Sequence, residues 1–186
     1  MKSLPVSIPI ALAIKMTDKG PVFYRQERWG QNGSRFRAYK FRTMVQDSDK
    51  QYGILQATEN DSRITKIGRL LRAMGLDELP QILNIFVGEM SFVGPRSLAV
   101  GEIVKDEEGN VVKYEDIPEF WERLAVRPGL TGLATIYLPK DVSPSRKFEF
   151  DLRYIRSQSM WLDIRLIALS FWISFRGKWE TRDDKV

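Results

Sequence analysis

From Thr65 to Gly75 the chain reads TKIGRLLRAMG, and its apolar residues Ile67, Leu70, Leu71 and Met74 recur at the spacing of one α-helical face. Thr65 stands where an N-cap belongs and Gly75 where a helix stops, so this stretch predicts a helix with both ends marked. Past Gly75, the residues Leu79, Ile82, Leu83 and Phe86 predict the apolar face of a second helix that begins at Asp77 and tolerates Pro80 in its first turn. Upstream, PVFYRQERWGQNGSRFRAYKFRTM forms two runs around Asn32-Gly33, which predicts a short β-hairpin. Residues 46–62 are polar and read as a loop.

Both ends of the chain are apolar. The run LPVSIPIALAI, from Leu4 to Ile14, contains two prolines and is closed by Lys15 to Gly20. As a helix rising about 1.5 Å per residue it reaches about half of a roughly 30 Å hydrocarbon core, so it does not cross a bilayer. It reads either as an ordinary buried helix or as a segment that dips into a membrane and stops. At the other end KFEFDLRYIRS carries a helical pattern, and MWLDIRLIALSFWISFRGKW is apolar around most of its circumference, with Asp163, Ser170 and Ser174 on one side. Such a helix is either central to the core or lies in a membrane interface, where Trp flanked by Arg and Lys is favoured. Residues 102–122 hold eight acids and two lysines around Gly109-Asn110 and read as an acidic surface excursion within a single domain. RPGLTG, from Arg127 to Gly132, reads as a rigid Pro-Gly turn.

Composition narrows the chemistry. A chain of 186 residues, 43% hydrophobic, is one domain long and able to fold around a core. Its 29 Lys and Arg against 24 Asp and Glu give a net charge of +5, which favours an anionic partner such as nucleic acid, a phosphorylated small molecule or an acidic lipid surface. There is no cysteine and no histidine, so disulfides, thiolate or imidazole metal sites, an imidazole base and a Ser-His-Asp triad are all excluded. Acid, base and nucleophile must come from Asp, Glu, Lys, Tyr, Ser or Thr.

Two features carry candidate chemistry. From Lys19 to Thr43 seven cationic residues face a single acid, Glu27, with six aromatic residues interleaved. That mixture suits RNA, single-stranded DNA or a membrane surface, and equally a half-buried hairpin with a solvated charged face. In RAMGLDELPQ the adjacent carboxylates Asp77 and Glu78 stand at the expected helix start. There, unpaired N–H groups and the helix dipole keep a carboxylate ionised and attract phosphate oxygens. Neighbours on a helix diverge by about 100°, so one carboxylate can face phosphorus while the other binds a divalent cation. The same two residues are also a common helix cap. Arg69 and Arg72 lie nearby, and Arg96 and Arg127 sit in Pro- and Gly-containing turns that can expose a cation together with backbone donors.

Taken in order, GPVFYRQERWGQNGSRFRAYKFRTM, RLLRAMGLDELPQILNIFVGEMSFVGPRS, RPGLTG and KFEFDLRYIRSQSMWLDIRLI resemble the bacterial sugar transferase family, the monotopic phosphoglycosyl transferases that start polysaccharide and glycoconjugate assembly. The resemblance runs from Pro5 over nearly the whole chain, and the pairing of LDELPQ with FVGPR is its most specific part. It implies transfer of a sugar 1-phosphate from a nucleotide diphosphate sugar to polyprenyl (undecaprenyl) phosphate, with release of the nucleoside monophosphate and a requirement for Mg²⁺. Exopolysaccharide, O-antigen or glycoconjugate synthesis would follow from that step.

Carried over residue by residue, the resemblance implies Asp77 as the nucleophile that forms a covalent phosphosugar intermediate, Glu78 beside it at the metal site, and Arg72 as a basic active-site residue. Arg127 and Asp151 match positions lining the nucleotide or phosphate region, and Lys40 and Arg96 are expected phosphate contacts. An attacking aspartate needs no histidine, because the incoming polyprenyl phosphate is already an anion at neutral pH. The implied fold is α-rich α+β: residues 1–18 a remnant of a re-entrant membrane helix broken at Pro5, and residues 19–186 a sugar transferase domain with a basic hairpin and an interfacial C-terminal helix.

The implied location is the cytoplasmic face of the bacterial inner membrane, with its lipids as partners and no nucleic acid. The preceding half-helix with a basic start that members carry is missing here, and Glu89, Ser97 and Thr135 replace a usual aspartate, proline and glutamine. These three bear on sugar choice more than on reaction class. The competing readings are a basic, aromatic-rich nucleic-acid-binding module and a truncated membrane-surface paralogue without activity.

Overall fold

The computed structural model describes residues 4–17, 20–46, 61–105, 108–139 and 142–179, so most of the expected 46–62 loop lies outside the described residues. It is a mixed fold in which helices predominate over short strands. Helix α1 (Leu4–Thr17) is continuous through Pro9, with Pro5 in its first turn. It buries one apolar face and leaves another exposed. Ile10 and Ile14 are buried against Phe41 and Leu71, while Ile8, Leu12 and Met16, one turn apart, face outward as an apolar stripe.

Strands β1 (Phe23–Trp29) and β2 (Arg35–Phe41) form the expected antiparallel hairpin, with Phe23 opposite Phe41 and Trp29 opposite Arg35. Asn32 and Gly33 take the positive φ that reverses the chain. Phe36 and Ala38 point into a small core with Met90, and the outer face is charged. Two of its cations lie over rings, Arg25 on Tyr39 and Arg35 on Trp29.

Helix α2 (Lys66–Ala73) starts as expected, the Thr65 hydroxyl accepting from Gly68 N–H at 3.0 Å, and stops at Gly75, whose φ of 68° closes it. Beyond Gly75 the chain departs from the apolar pattern. Leu76–Gln81 is a 3₁₀ turn flanked by Gly75, and α3 (Ile82–Phe86) is a single short turn. The tighter winding turns polar residues inward. Asp77, Gln81 and Asn84 are buried, whereas Leu83 and Phe86 are exposed. Asn84 explains part of this exchange, because its amide mimics a neighbouring strand. Its Oδ1 accepts from Tyr39 N–H at 3.2 Å and its Nδ2 donates to the Arg37 carbonyl at 2.8 Å, satisfying the open edge of β2.

The turn expected at RPGLTG is partly a strand. Strand β6 (Gly129–Thr131) pairs in parallel with β3 (Ser91–Val93), Ser91 against Gly129 and Val93 against Thr131, so the FVGPR and RPGLTG segments lie side by side. Glycine is required for this approach: a Cβ on Gly129 would stand 2.1 Å from Gly94 N, and one on Gly132 2.1 Å from Gly94 O. The acidic stretch 102–122 keeps Glu108, Asp116, Glu119 and Glu122 exposed but is anchored to the core. It forms the hairpin β4 (Ile103–Lys105) and β5 (Val111–Lys113), then sends Tyr114, Ile117 and Phe120 into a core with Trp29, Leu98 and Phe148.

Three helices complete the chain: α4 (Leu133–Tyr137), α5 (Pro144–Ser157), capped by Ser143, and α6 (Met160–Arg176), capped by Ser159. On α6 the polar side faces the protein: Asp163 accepts from Tyr154 OH at 2.8 Å, Ser170 bonds Thr131 at 2.7 Å, and Ser174 accepts from Trp179 Nε1 at 2.7 Å. Its outward face is apolar, with Trp161, Ile164, Phe171, Trp172 and Phe175 exposed. Among the described residues no helix is long and apolar enough to cross a membrane.

Candidate active site

Asp77 and Glu78 owe their position to the Gly75 turn. Left-handed backbone at Gly75 ends α2 and redirects the chain so that Leu76 and Leu79 pack on the Ile14–Phe41–Leu71 cluster. The C-terminal segment holds this turn from the other side. Trp179 N–H donates to the Ala73 carbonyl at 3.1 Å, and its indole lies against Gly75. Asp77 is therefore in the first turn of a 3₁₀ segment, not at an α-helix cap. It is largely buried, 8% exposed, yet it lines a cavity of about 1060 Å³. The carboxylate is thus withdrawn from bulk water without being closed off from a ligand.

The same cavity wall brings together Lys40 from β2, Arg28 from β1, Arg72 from the last turn of α2, Arg96 from the turn after β3, and both acids. Lys40 Nζ donates to Glu78 Oε1. Arg28 Nη1 donates to the Ser97 carbonyl at 2.6 Å and to the Ser97 hydroxyl at 3.0 Å. Apolar side chains continue the lining, among them Phe92, Leu130, Ile167 and Phe171. Phe92 and Phe171 are also exposed on the outer surface, so the cavity runs from a charged floor to an apolar rim.

The charges are unequally matched. Burial alone would raise the Glu78 carboxyl, but the Lys40 ammonium, then Arg96 and Arg28, outweigh it and push the pKa down to about 2. Lys40 moves below its ordinary value: burial depresses it, Glu78 opposes that, and Arg28 and Arg96 add to the depression. Burial, with Arg96 beside it, also lowers Arg28. Arg96 is held high: partial desolvation in the cavity works against its charge, and Glu78 and Glu102 outweigh that. Tyr114 is pushed up to about 12 by burial and Glu102, so it keeps its proton. Over the cavity lining as a whole, seven Arg and Lys side chains outnumber four carboxylates, a setting that an entering anion would relieve.

Of the residues singled out from sequence, Lys40, Arg72, Asp77, Glu78, Arg96 and Asp151 all line this one cavity. Arg127 does not. It is exposed and lines a second, smaller depression with Tyr154 and Asp163, because the strand after it turns the preceding residue away. Asp151 is 3% exposed and bound to Arg123, whose Nε donates to Oδ2 at 3.0 Å. Burial pushes Asp151 upward and Arg123 opposes it. Arg28, Arg42, Glu102, Arg123 and Lys147 are charged lining residues that sequence reasoning did not single out. Arg28 was only one of seven hairpin cations, and Arg123 had no motif of its own at the end of an acidic stretch.

Among the described residues there is no cluster of three or more acidic, His or Cys side chains that would cage a metal. Asp77 and Glu78 alone suit a hard cation of the Mg²⁺ type. Such an ion is usually held by one or two carboxylates and completes its shell with water and substrate phosphate. Glu78 stays ionised down to about pH 2, as a ligand must.

A family model described as bacterial sugar transferase matches residues 1–177. A UDP-glucose:undecaprenyl-phosphate glucose-1-phosphate transferase of Klebsiella pneumoniae is 41% identical over 180 residues, which cover 94% of this chain and 37% of that protein. An exopolysaccharide production protein, PSS, of Rhizobium leguminosarum bv. phaseoli is 39% identical over 168 residues, 88% of this chain and 82% of that protein. A UDP-N-acetylgalactosamine-undecaprenyl-phosphate N-acetylgalactosaminephosphotransferase of Aeromonas hydrophila is 36% identical over 167 residues, 88% of this chain and 37% of that protein. The chain thus spans a little over a third of the length of the glucose-1-phosphate transferase and the N-acetylgalactosamine enzyme.

Proposed function

The chain belongs to the bacterial sugar transferase family, and from that premise we propose that it transfers a sugar 1-phosphate from a nucleotide diphosphate sugar to a polyprenyl phosphate through Asp77. The observation that carries this reading is the shared cavity: a buried aspartate and its neighbouring glutamate line the same wall as Arg28, Lys40, Arg72 and Arg96. Relatives named for UDP-sugars and undecaprenyl phosphate support the two substrate classes.

In the first step an Asp77 carboxylate oxygen attacks the phosphorus that bears the sugar. A P–O bond forms, and the bond to the nucleoside monophosphate breaks, its electron pair leaving with that anion. In the second step a phosphate oxygen of the polyprenyl phosphate attacks the same phosphorus and Asp77 leaves as a carboxylate. Neither step needs a histidine. Asp77 is kept from bulk water and faces a wall of cations. Lys40 and Arg96 meet the diphosphate oxygens as charge develops on them. Arg72, in the turn of α2 ahead of Gly75, adds a further cation to that wall. Asp77 and Glu78 would hold Mg²⁺, and the ion would supply neutralisation of the diphosphate charge.

The apolar rim suits the prenyl chain, and the exposed stripes on α1 and α6 suit contact with lipid, which supports action at the cytoplasmic face of a bacterial inner membrane. Incubating the protein with UDP-glucose and Mg²⁺ without acceptor should leave one phosphosugar per chain, seen as an added mass on intact protein and mapped to Asp77. Adding undecaprenyl phosphate should discharge it. Asp77→Asn should lose both adduct and nucleoside monophosphate release, and turnover retained by that variant would refute the covalent route.

A further inference from the structure

Arg96 is an exposed residue inside a buried run. Val93, Gly94 and Pro95 precede it and Ser97, Leu98 and Ala99 come after it, all of them buried. Its side chain lines the cavity, as does that of Leu98 two residues on. The backbone beneath it is held carbonyl by carbonyl. Pro95 O accepts from Gly129 N at 2.9 Å, Arg96 O from Arg123 Nη2 at 2.7 Å, Ser97 O from Arg28 Nη1 at 2.6 Å, and Leu98 O from Trp29 N at 3.0 Å. Two of these four donors are strand amides. The other two are guanidiniums brought from distant parts of the chain.

We propose that Arg28 and Arg123 are positioning residues that act through the Arg96 turn, fixing the Arg96 guanidinium at the diphosphate subsite. The inference rests on the phosphoglycosyl transfer reading, in which Arg96 meets substrate phosphate. Arg123 is committed on both sides. Its Nε and Nη2 reach Asp151 Oδ2, Nη2 also reaches the Arg96 carbonyl, and its guanidinium carbon lies 4.6 Å from the centre of the Phe148 ring. Asp151 is thereby the counterion of Arg123 and acts on substrate only at second hand. Arg28 is committed in the same manner, with Nη1 on Ser97 and Nη2 on Gln26 Oε1 at 2.9 Å.

Stability alone is a poor reason for this arrangement. A buried ion pair can often be exchanged for well-packed apolar side chains at no loss, so two buried guanidiniums in one wall point to a conformation that must be held. The turn they hold carries a cation that has to meet phosphate without rearranging.

The test is a set of double-mutant cycles read by calorimetric binding of UDP with Mg²⁺ and by the separate kcat and KM for UDP-glucose. Arg123→Lys keeps a charge for Asp151 but lacks the planar fork needed to hold the Arg96 carbonyl as well, and Arg28→Lys does the same at Ser97. Arg96→Gln should weaken UDP binding about tenfold or more, the scale of a lost charge-assisted contact. Each lysine variant should weaken it about fivefold in the wild-type background, raise KM more than it lowers kcat, and change affinity less than about twofold once Arg96 is glutamine.

Equal losses in both backgrounds would overturn the inference while leaving Arg96 as a phosphate contact. Unchanged affinity in Arg96→Gln would overturn the phosphate-contact reading and the inference with it. Should Arg123→Lys fail to fold, Arg28→Lys carries the same cycle, and unfolding of both variants would also overturn the proposal, since the two arginines would then be structural.

Discussion

Replacing Gly75 by alanine tests the link between backbone conformation and the carboxylate proposed to react, Asp77. Gly75 has φ of 68°, and a Cβ built there stands 2.8 Å from Trp179 Nε1 and 2.9 Å from its Cδ1. Left-handed backbone costs an L-residue about 1–2 kcal/mol. Relieving the contact means moving an indole whose Nε1 donates to Ser174 Oγ at 2.7 Å, and losing that bond costs about 1 kcal/mol more. The sum, about 2–3 kcal/mol, should lower the urea midpoint by about 1 M for a chain of this size.

If the turn instead shifts to accept the methyl group, Asp77 moves with it, and a displacement of about 1 Å is enough to lose about a hundredfold in rate. Urea unfolding and adduct formation on Asp77 would be measured for Gly75→Ala, Trp179→Leu and the double variant. With the indole gone the alanine should cost only its backbone term, so the two changes should be non-additive by about 1 kcal/mol. A cost below about 0.5 kcal/mol, or the same cost with and without the indole, would refute the account of the turn.

Three further outcomes are expected from the same geometry. Glu78 has a folded pKa of about 2 against an ordinary 4.5 and a side chain 25% exposed. Its carboxylate therefore contributes stability above about pH 4.5, about 3 kcal/mol, which is lost as pH falls toward 2. Glu78→Gln should lag the wild type in urea unfolding at pH 7 and match it near pH 2, and a gap constant with pH would count against the pairing. Gly129→Ala should lower the melting temperature by about 10 °C or abolish soluble expression, because its Cβ would meet only backbone, Gly94 N at 2.1 Å and Thr131 O at 2.3 Å. A melting temperature within about 3 °C of wild type would show that the strands separate freely. Lys40, depressed by burial and by Arg28 and Arg96, should regain a proton when UDP binds, so binding at alkaline pH should take up protons. Calorimetry in buffers of different ionisation enthalpy would report this, and identical heats would speak against it.

Local signals read most clearly where the chain's own period decides the structure. The hairpin, helix α2 with its Thr65 cap and Gly75 stop, and the Ser-capped C-terminal helices conform to the pattern of their residues. Apolar spacing misleads after Gly75, because the segment answers to the open edge of β2. Burying Asn84 there outweighs burying Leu83 and Phe86. The six cavity residues found from sequence came from motif and charge, with the resemblance joining segments that spacing alone leaves apart. Arg123 escaped because its meaning lies in contacts to Asp151 and Arg96, each more than 25 residues distant, which no local pattern encodes. Arg127, singled out by its Pro-Gly turn and by the resemblance, stands just ahead of β6 and lines a separate depression.

The absence of histidine and the excess of buried cations are two sides of one arrangement. With no imidazole to take a proton, a nucleophile that is already anionic needs no base, and the carboxylate proposed to attack satisfies that at neutral pH. A carboxylate withdrawn from water must be kept charged by neighbours, and Lys40, Arg28 and Arg96 do this for Glu78 beside Asp77. Lys40 and Arg28 are lowered first by burial and further by neighbouring cations, so the resting cavity favours further negative charge. A diphosphate supplies that charge. On the proposed reading burial serves binding and nucleophile readiness together: the same low-dielectric wall that raises the energy of crowded cations would strengthen their hold on phosphate.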